Sequence, residues 1–292
     1  MQTLSPAREA VPDMPNRLDM AGIEFIEYAT TRPQAFGQVL EALGFMPVAR
    51  HRSREIALYR QGGMNLVVNA HPEDARVAAT ADGQPVLSAV AFRVRDALKA
   101  HSRCLALGAW GVPSHAQAME LHIPAIQGPG SSRFYFVDRW DAFSIYDIDF
   151  KPIPGVTLHP PSLASMRYFG VVQYIGAGRS GPWMTYFEQM FDFVAVPDEQ
   201  RFGILPKGKL MKSPCGQFLW QMVEPDPGLD EETESDEKLQ RLGLGVPDVG
   251  LAVHMLKERG IDFVDARHLH PEDRGALTVP VMGVSFELVH QD

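Results

Sequence analysis

The chain has 292 residues, of which 45% are hydrophobic and 22% charged, as is ordinary for a soluble globular protein of one or two domains. Its formal net charge of −9 argues against nucleic acid or an anionic membrane surface as the main partner. No apolar run approaches the roughly 18–20 residues of a membrane span, and the two cysteines form no CxxC pair, so we expect a cytoplasmic protein with reduced thiols.

The first half begins with a polar lead at residues 1–20, which has no signal-peptide core and is expected to be flexible. A strand-like run and a predicted helix at Pro33–Leu43 follow. A second helix is predicted to begin after Asp96, which suits an N-cap, and to end at Gly108, which suits the C′ position.

Residues 119–150 alternate between apolar and polar side chains and contain the turn Gly128-Pro129-Gly130. This pattern predicts consecutive strands, the last of them at Ile145–Asp149. Residues 151–162 contain four prolines and show no periodicity, so they predict a linker.

The second half repeats the first. A predicted helix at Trp183–Phe191 follows a strand-like run, and a helix from Asp248 to Gly260 corresponds to the Asp96–Gly108 helix at a constant offset of 152 residues. A strand-like run at Val284–Val289, which carries Glu287, closes this half. The sequence therefore predicts two copies of a strand–helix–strands unit.

Five segments of the first half carry a family resemblance and occur in the family's order: Gly22–Ala29, His51–Ser53, Leu58–Gly63, Val67–Ala70 and Ala91–Ala97. With residues 119–150, they resemble the N-terminal module of bacterial 4-hydroxyphenylpyruvate dioxygenases, members of the vicinal-oxygen-chelate (glyoxalase/bleomycin-resistance/dioxygenase) superfamily.

The resemblance implies an α+β fold of two tandem vicinal-oxygen-chelate domains, each of paired βαβββ modules forming a curved, barrel-like sheet around a pocket. We place the first domain at residues 21–152, a linker at 153–165 and the second domain, with the candidate pocket, at 166–292.

The resemblance also implies Fe(II) held by two histidines and one carboxylate on three strands of the second domain. Glu287 matches the carboxylate position. The histidine positions align with Gly170 and Arg241, and no histidine occurs between His159 and His254. We therefore expect the ordinary triad, and with it a catalytic iron, to be absent.

The corresponding positions of the first domain read Phe25, Ser88 and Asp147, which is not a metal site either, as the resemblance implies for the family's non-catalytic half. One further departure from the family is expected. The sequence ends at Asp292, just after the closing strand, so the family's C-terminal helix that closes the pocket is expected to be missing.

We hypothesise that an Arg241–Glu287 pair occupies the iron position, because a guanidinium can supply the positive charge that a buried carboxylate needs. Gly170 would open space for a ligand beside the pair. The alternative is that Arg241 is simply solvated. Four further residues are candidates for the pocket lining, with burial in the core as the alternative: Gln173, Tyr174, Trp220 and Phe286.

Three functions remain open. The first is a protein that binds a small aromatic or keto acid, with Arg241 holding the carboxylate and without the Fe(II) triad. The second is a dioxygenase that uses Fe(II) or another divalent metal, with unusual ligands such as His254, His268 or His290 around Glu287. The third is a non-catalytic partner of an intact homologue. By analogy with the family, a homodimer is expected.

Overall fold

The computed structural model describes residues 15–72, 74, 76, 83–113, 120–141, 143–197, 208–225, 237–265 and 274–291. Within these ranges the chain forms two large curved sheets with helices packed against them. The expected α+β fold of two tandem units is confirmed, although neither sheet closes into a barrel within the described residues.

The first sheet has the strand order β6-β7-β5-β1-β4-β3-β2-β8. Its central strand β1 pairs in parallel with β4 and antiparallel with β5. The strands are β1 (Gly22–Ala29), β2 (Met46–His51), β3 (Ile56–Gln61), β4 (Met64–Asn69), β5 (Val86–Arg93), β6 (Ala125–Gln127), β7 (Arg133–Val137) and β8 (Phe150–Pro152). The helices of this half are α1 (Pro33–Ala42), α2 (Ala97–Ala106) and α3 (Ile145–Asp149).

The second sheet has the order β10-β11-β12-β9-β13-β15-β14. Its central strand β9 pairs in parallel with β12 and antiparallel with β13, which in turn pairs in parallel with β15. The strands are β9 (Arg167–Tyr174), β10 (Val194–Ala195), β11 (Lys209–Lys212), β12 (Leu219–Val223), β13 (Lys238–Val246), β14 (Gly275–Leu277) and β15 (Phe286–His290). The helices are α4 (Ser180–Phe191) and α5 (Val249–Glu258).

The predicted internal repeat is confirmed by α2 and α5. The side chain of Asp96 accepts a hydrogen bond from the Lys99 amide at 2.9 Å, and that of Asp248 from the Leu251 amide at 2.8 Å. Gly108 and Gly260 follow the two helices with φ of +95° and +85°, a conformation that glycine adopts without strain.

The prediction of a strand at Ile145–Asp149 is wrong, because these residues form α3. The Ser144 amide donates to the Asp147 carboxylate at 2.8 Å, as in a capping box, and this local bond favours a helix start over an extended chain. β8 then follows and pairs with β2.

One face of each sheet packs into a continuous hydrophobic core that the two halves share. Across this core the ring centroids of Phe134 and Trp220 are 5.5 Å apart, and those of Phe92 and Phe191 are 5.4 Å apart. We call the opposite face of each sheet, turned away from this core, the outer face. Tyr135 and Val137 lie on the outer face of the first sheet, since they alternate along β7 with the core residues Phe134 and Phe136.

None of the helices in the described ranges is long and apolar enough to cross a membrane. Cys104 and Cys215 are both free thiols, as expected.

Candidate functional site

The outer face of the second sheet carries the two charged residues expected at the iron position. Gly243 of β13 lies opposite Glu287 of β15, so Arg241 lies two residues along the same face, at a Cα separation of ~8 Å from Glu287. That distance is within reach of a long side chain. Arg241 and Glu287 therefore share the outer face.

A bulge in β13 gives Arg241 this direction. Leu239, Leu242 and Leu244 all belong to the shared core, which strict alternation would not allow. The pairing of β13 with β9 shifts by one residue between Leu239 and Arg241, and this shift turns Arg241 to the outer face.

The Arg241 side chain is enclosed and only partly hydrogen-bonded. The residue is 3% exposed, so the alternative that it is simply solvated does not describe it. Its Nη2 donates to the Tyr174 hydroxyl at 3.3 Å, while Nε and Nη1 have no hydrogen-bond partner within the described ranges. A buried guanidinium with unfilled donors is costly, and an oxyanion beside it would supply the missing acceptors.

Gly170 does not open the space that we expected beside Arg241. A Cβ added to Gly170 would lie 2.5 Å from the carbonyl oxygen of Leu219 on the neighbouring strand β12. The glycine thus permits a close approach of the two strands, and a histidine at this position would meet the β12 backbone.

We expect Gly170→Ala to lower the free energy of unfolding by about 1–3 kcal/mol, because the added methyl forces β9 and β12 apart. Urea unfolding would measure the change. Gly181→Ala is the matched control, since a Cβ at Gly181 meets nothing within 4 Å. A Gly170→Ala protein as stable as the control variant would contradict the close approach of the strands.

Three of the residues considered as pocket lining lie on the core side of the sheet. Trp220 is fully buried and donates from Nε1 to the Gln173 side-chain oxygen at 2.8 Å, and Phe286 lies 6.4 Å from Tyr28 of the first half, measured between ring centroids. They therefore do not share a face with Arg241. Of the four candidates, Tyr174 alone contacts the Arg241 guanidinium.

The three residues expected at the family's iron position offer one metal ligand. Gly170 has no side-chain donor atom and Arg241 is a cation, so Glu287 is the one of the three that could bind a metal. The described ranges contain no group of three or more histidine, cysteine or acidic side chains that could hold a metal ion.

The histidines named as unusual ligands do not gather around Glu287 in the described ranges. His254 lies exposed on α5, 3.4 Å from Glu258 one turn away. His290 is exposed, and alternation along β15 turns it to the face opposite Glu287. His268 lies outside the described residues.

The repeated units and the two paired sheets define a vicinal-oxygen-chelate fold. A mutant of 4-hydroxymandelate synthase from Streptomyces coelicolor has the same fold, with a TM-score of 0.72, 18% sequence identity and coverage of 93% of each chain. The family described as hydroxyphenylpyruvate dioxygenase, HPPD, N-terminal, matches residues 14–151.

Two curated relatives carry the assignment further. A 4-hydroxyphenylpyruvate dioxygenase from Pseudomonas sp. is 37% identical over 61% of this chain, and the match spans half of that protein. One from Pseudomonas aeruginosa is 30% identical over 85% of this chain and 72% of the relative. The chain belongs to the 4-hydroxyphenylpyruvate dioxygenase family, which confirms the resemblance read from the sequence.

Proposed function

We propose that the C-terminal domain binds a small aromatic or keto acid through Arg241 and does so without the family's Fe(II) triad. The observation that carries this proposal is the buried Arg241 guanidinium, whose Nε and Nη1 lack partners in the described ranges. In a site shielded from water, a guanidinium binds a carboxylate more strongly than it does at the surface.

The surroundings of Arg241 support an organic acid over a simple inorganic ion. The Tyr174 hydroxyl holds one end of the guanidinium in place, so less side-chain freedom is lost on binding. The tyrosine ring adds an apolar surface for an aromatic or aliphatic portion. The relatives are named for 4-hydroxyphenylpyruvate, an aromatic keto acid, which makes it the first ligand to test.

The test combines metal analysis with calorimetry on the full chain. Iron content would be measured before and after anaerobic Fe(II) loading, and 4-hydroxyphenylpyruvate would be titrated into the metal-free protein. We expect binding without bound iron, and Arg241→Ala should weaken it by about 10- to 100-fold through loss of a charged hydrogen-bonding partner. Arg95→Ala, which removes an exposed guanidinium, should leave the affinity unchanged.

Two other results would reject the proposal, and each of them would favour a different function. Stoichiometric iron that disappears in Glu287→Ala would favour a metal-dependent dioxygenase with unusual ligands. Failure of 4-hydroxyphenylpyruvate to bind, or to raise the unfolding temperature by mass action, would favour a non-catalytic partner of an intact homologue.

We further propose that the protein is a cytoplasmic homodimer with no nucleic-acid or membrane partner, as its acidic charge and family membership suggest. Light scattering coupled to gel filtration would measure its mass, and a monomer at micromolar concentration would reject the dimer.

A further inference from the structure

The outer face of the first sheet holds a cavity of about 420 Å³, which is within the range of small-molecule sites. Phe25, Val67 and Tyr135 from three strands form its floor, and Tyr146 of α3 and Phe150 of β8 cover it. Its other apolar lining residues include Ile56, Val112, Leu121, Ile123, Ala125 and Ile145. The cavity is therefore large and apolar enough to hold an aromatic ring.

Most charged groups of this cavity already have partners of opposite charge. Arg76 lies 2.6 Å from Glu27 and 2.7 Å from Asp74, measured between its guanidinium nitrogens and the carboxylate oxygens. Arg54 lies 2.6 Å from Glu120. Glu27, Asp74, Arg54 and Glu120 line the cavity, and each of them is paired with a group of opposite charge.

Arg133 differs from Arg54, the other arginine that lines this cavity, because its hydrogen bond goes to a neutral group. Its Nη1 donates to the Tyr135 hydroxyl at 3.3 Å, and the guanidinium borders the cavity. The charge of Arg133 also lowers the pKa of Asp74, but Arg133 forms no ion pair with the described residues. Arg133 is therefore the cation of this cavity best suited to bind an anionic ligand.

The two domains place an arginine in the same row of their outer faces. Arg133 of β7 lies opposite Ala89 of β5. At the repeat offset of 152 residues Arg241 corresponds to Ala89, one residue after the Ser88 expected from the sequence. The two arginines lie on adjacent strands of the repeated unit, and each donates to a tyrosine hydroxyl at 3.3 Å. Arg133 is partly exposed, whereas Arg241 is buried, so the two domains share the arginine–tyrosine contact but not the burial.

The α3 and β8 side of the cavity offers hydrogen bonds for a second polar group. The Asp149 carboxylate accepts from the Leu121 amide at 3.1 Å and has a second oxygen to offer. His51 accepts from the Ser53 amide through Nδ1 at 3.3 Å, so its proton is assigned to Nε2. Burial lowers the pKa of His51, which keeps the ring neutral at pH 7. A hydroxyl can donate to Asp149 or accept from His51.

We propose that the N-terminal domain contains a second ligand site, which binds a small hydroxylated aromatic acid. The carboxylate binds Arg133, the ring packs among Phe25, Tyr135 and Phe150, and the hydroxyl reaches Asp149 or His51. The site is independent of the one proposed at Arg241.

The test uses 4-hydroxyphenylacetate as the probe and calorimetry on the full chain carrying Arg241→Ala, which removes the C-terminal site. We expect one molecule bound per chain, and a further Arg133→Ala change should weaken binding by about 10- to 100-fold. Tyr135→Phe, which keeps the ring but frees Arg133, should weaken it less. Arg50→Ala removes an exposed guanidinium of the same domain and should have no effect.

The outcomes separate the two sites. Binding to the wild type that disappears in Arg241→Ala alone would overturn the N-terminal site and leave the C-terminal one. Binding that survives Arg241→Ala and disappears on adding Arg133→Ala would support the N-terminal site, whatever happens at Arg241. Tyramine lacks the carboxylate, so tighter binding of tyramine than of 4-hydroxyphenylacetate would overturn the assignment to an acid. Circular dichroism of each variant would show that lost binding is not lost folding.

Discussion

Arg76→Ala should lower the free energy of unfolding by about 3–5 kcal/mol, the usual cost of removing one partner from a buried ion pair. Arg76 bonds to both Glu27 and Asp74, and the side chains of Arg76 and Glu27 are 6% and 7% exposed. Ser88 and Asn69 also donate to Glu27 but carry no charge. Without Arg76, Glu27 would be a buried carboxylate with no neutralising cation among these contacts.

The same change should alter the dependence of stability on pH. Burial alone would raise the pKa of Asp74, but the hydrogen bonds and charge of Arg76 outweigh it and lower the pKa from 3.8 to about 2. A depressed pKa stabilises the fold above the unfolded value, and this contribution disappears as the pH falls through about 2. Arg76→Ala removes it, so the stability difference between wild type and variant should shrink between pH 4 and pH 2.

Urea unfolding at pH 7, 4 and 2.5 would measure both effects. The control is the double variant Arg76→Met with Glu27→Leu, which replaces the buried pair by apolar side chains and should recover the stability lost at Glu27, since no charge is left there. Asp74 still loses Arg76 in this variant, so the part of the stability that depends on the Asp74 pKa should not return. A single variant within about 0.5 kcal/mol of wild type would mean that water reaches Glu27.

Local sequence patterns predicted the repeat because each signal lies within one element. The aspartates and glycines at the ends of α2 and α5 act through bonds to residues three or four positions away, so their meaning does not depend on the rest of the fold. The same local signal was present before α3, where Ser144 and Asp147 have capping-box spacing. The alternation of apolar and polar residues at Ile145–Asp149 predicted a strand instead, so the capping-box signal was overlooked.

The direction of side chains in the second sheet could not be predicted in the same way. Both faces of that sheet carry apolar residues, and which face meets the other domain is decided by long-range packing. The sequence therefore left Trp220 as a candidate for the pocket of Arg241 as well as for the core. The bulge before Arg241 also depends on pairing with β9, which no short window of sequence contains.

The cavity of the first domain was missed for a related reason. Arg133 and Tyr135 are two residues apart in a strand-like run, so the sequence alone places their side chains on one face. What the sequence could not give was the closure of that face by α3 and β8, or the neutralisation of Glu27 by Arg76 from a distant segment.

Trp220→Ala should lower the free energy of unfolding by about 3–5 kcal/mol, as expected for truncating a large buried aromatic residue. Trp220 is fully buried, with its ring centroid 4.8 Å from that of Phe187 and 5.5 Å from that of Phe134 in the other domain. The change also deprives Gln173 of its indole donor. Trp110→Ala is the control, because Trp110 is 80% exposed and its loss should cost less than about 0.5 kcal/mol.

The position of Trp220 between the two domains predicts a second effect, on the coupling between them. Because its neighbours come from both domains and it lies on the face opposite Arg241, Trp220→Ala should weaken the coupling between the domains without changing ligand affinity at Arg241. Calorimetric unfolding of the variant should then be broader than that of wild type, or should split into two transitions. A variant that keeps one sharp transition but loses ligand affinity would instead place Trp220 in the binding pocket and refute its assignment to the shared core.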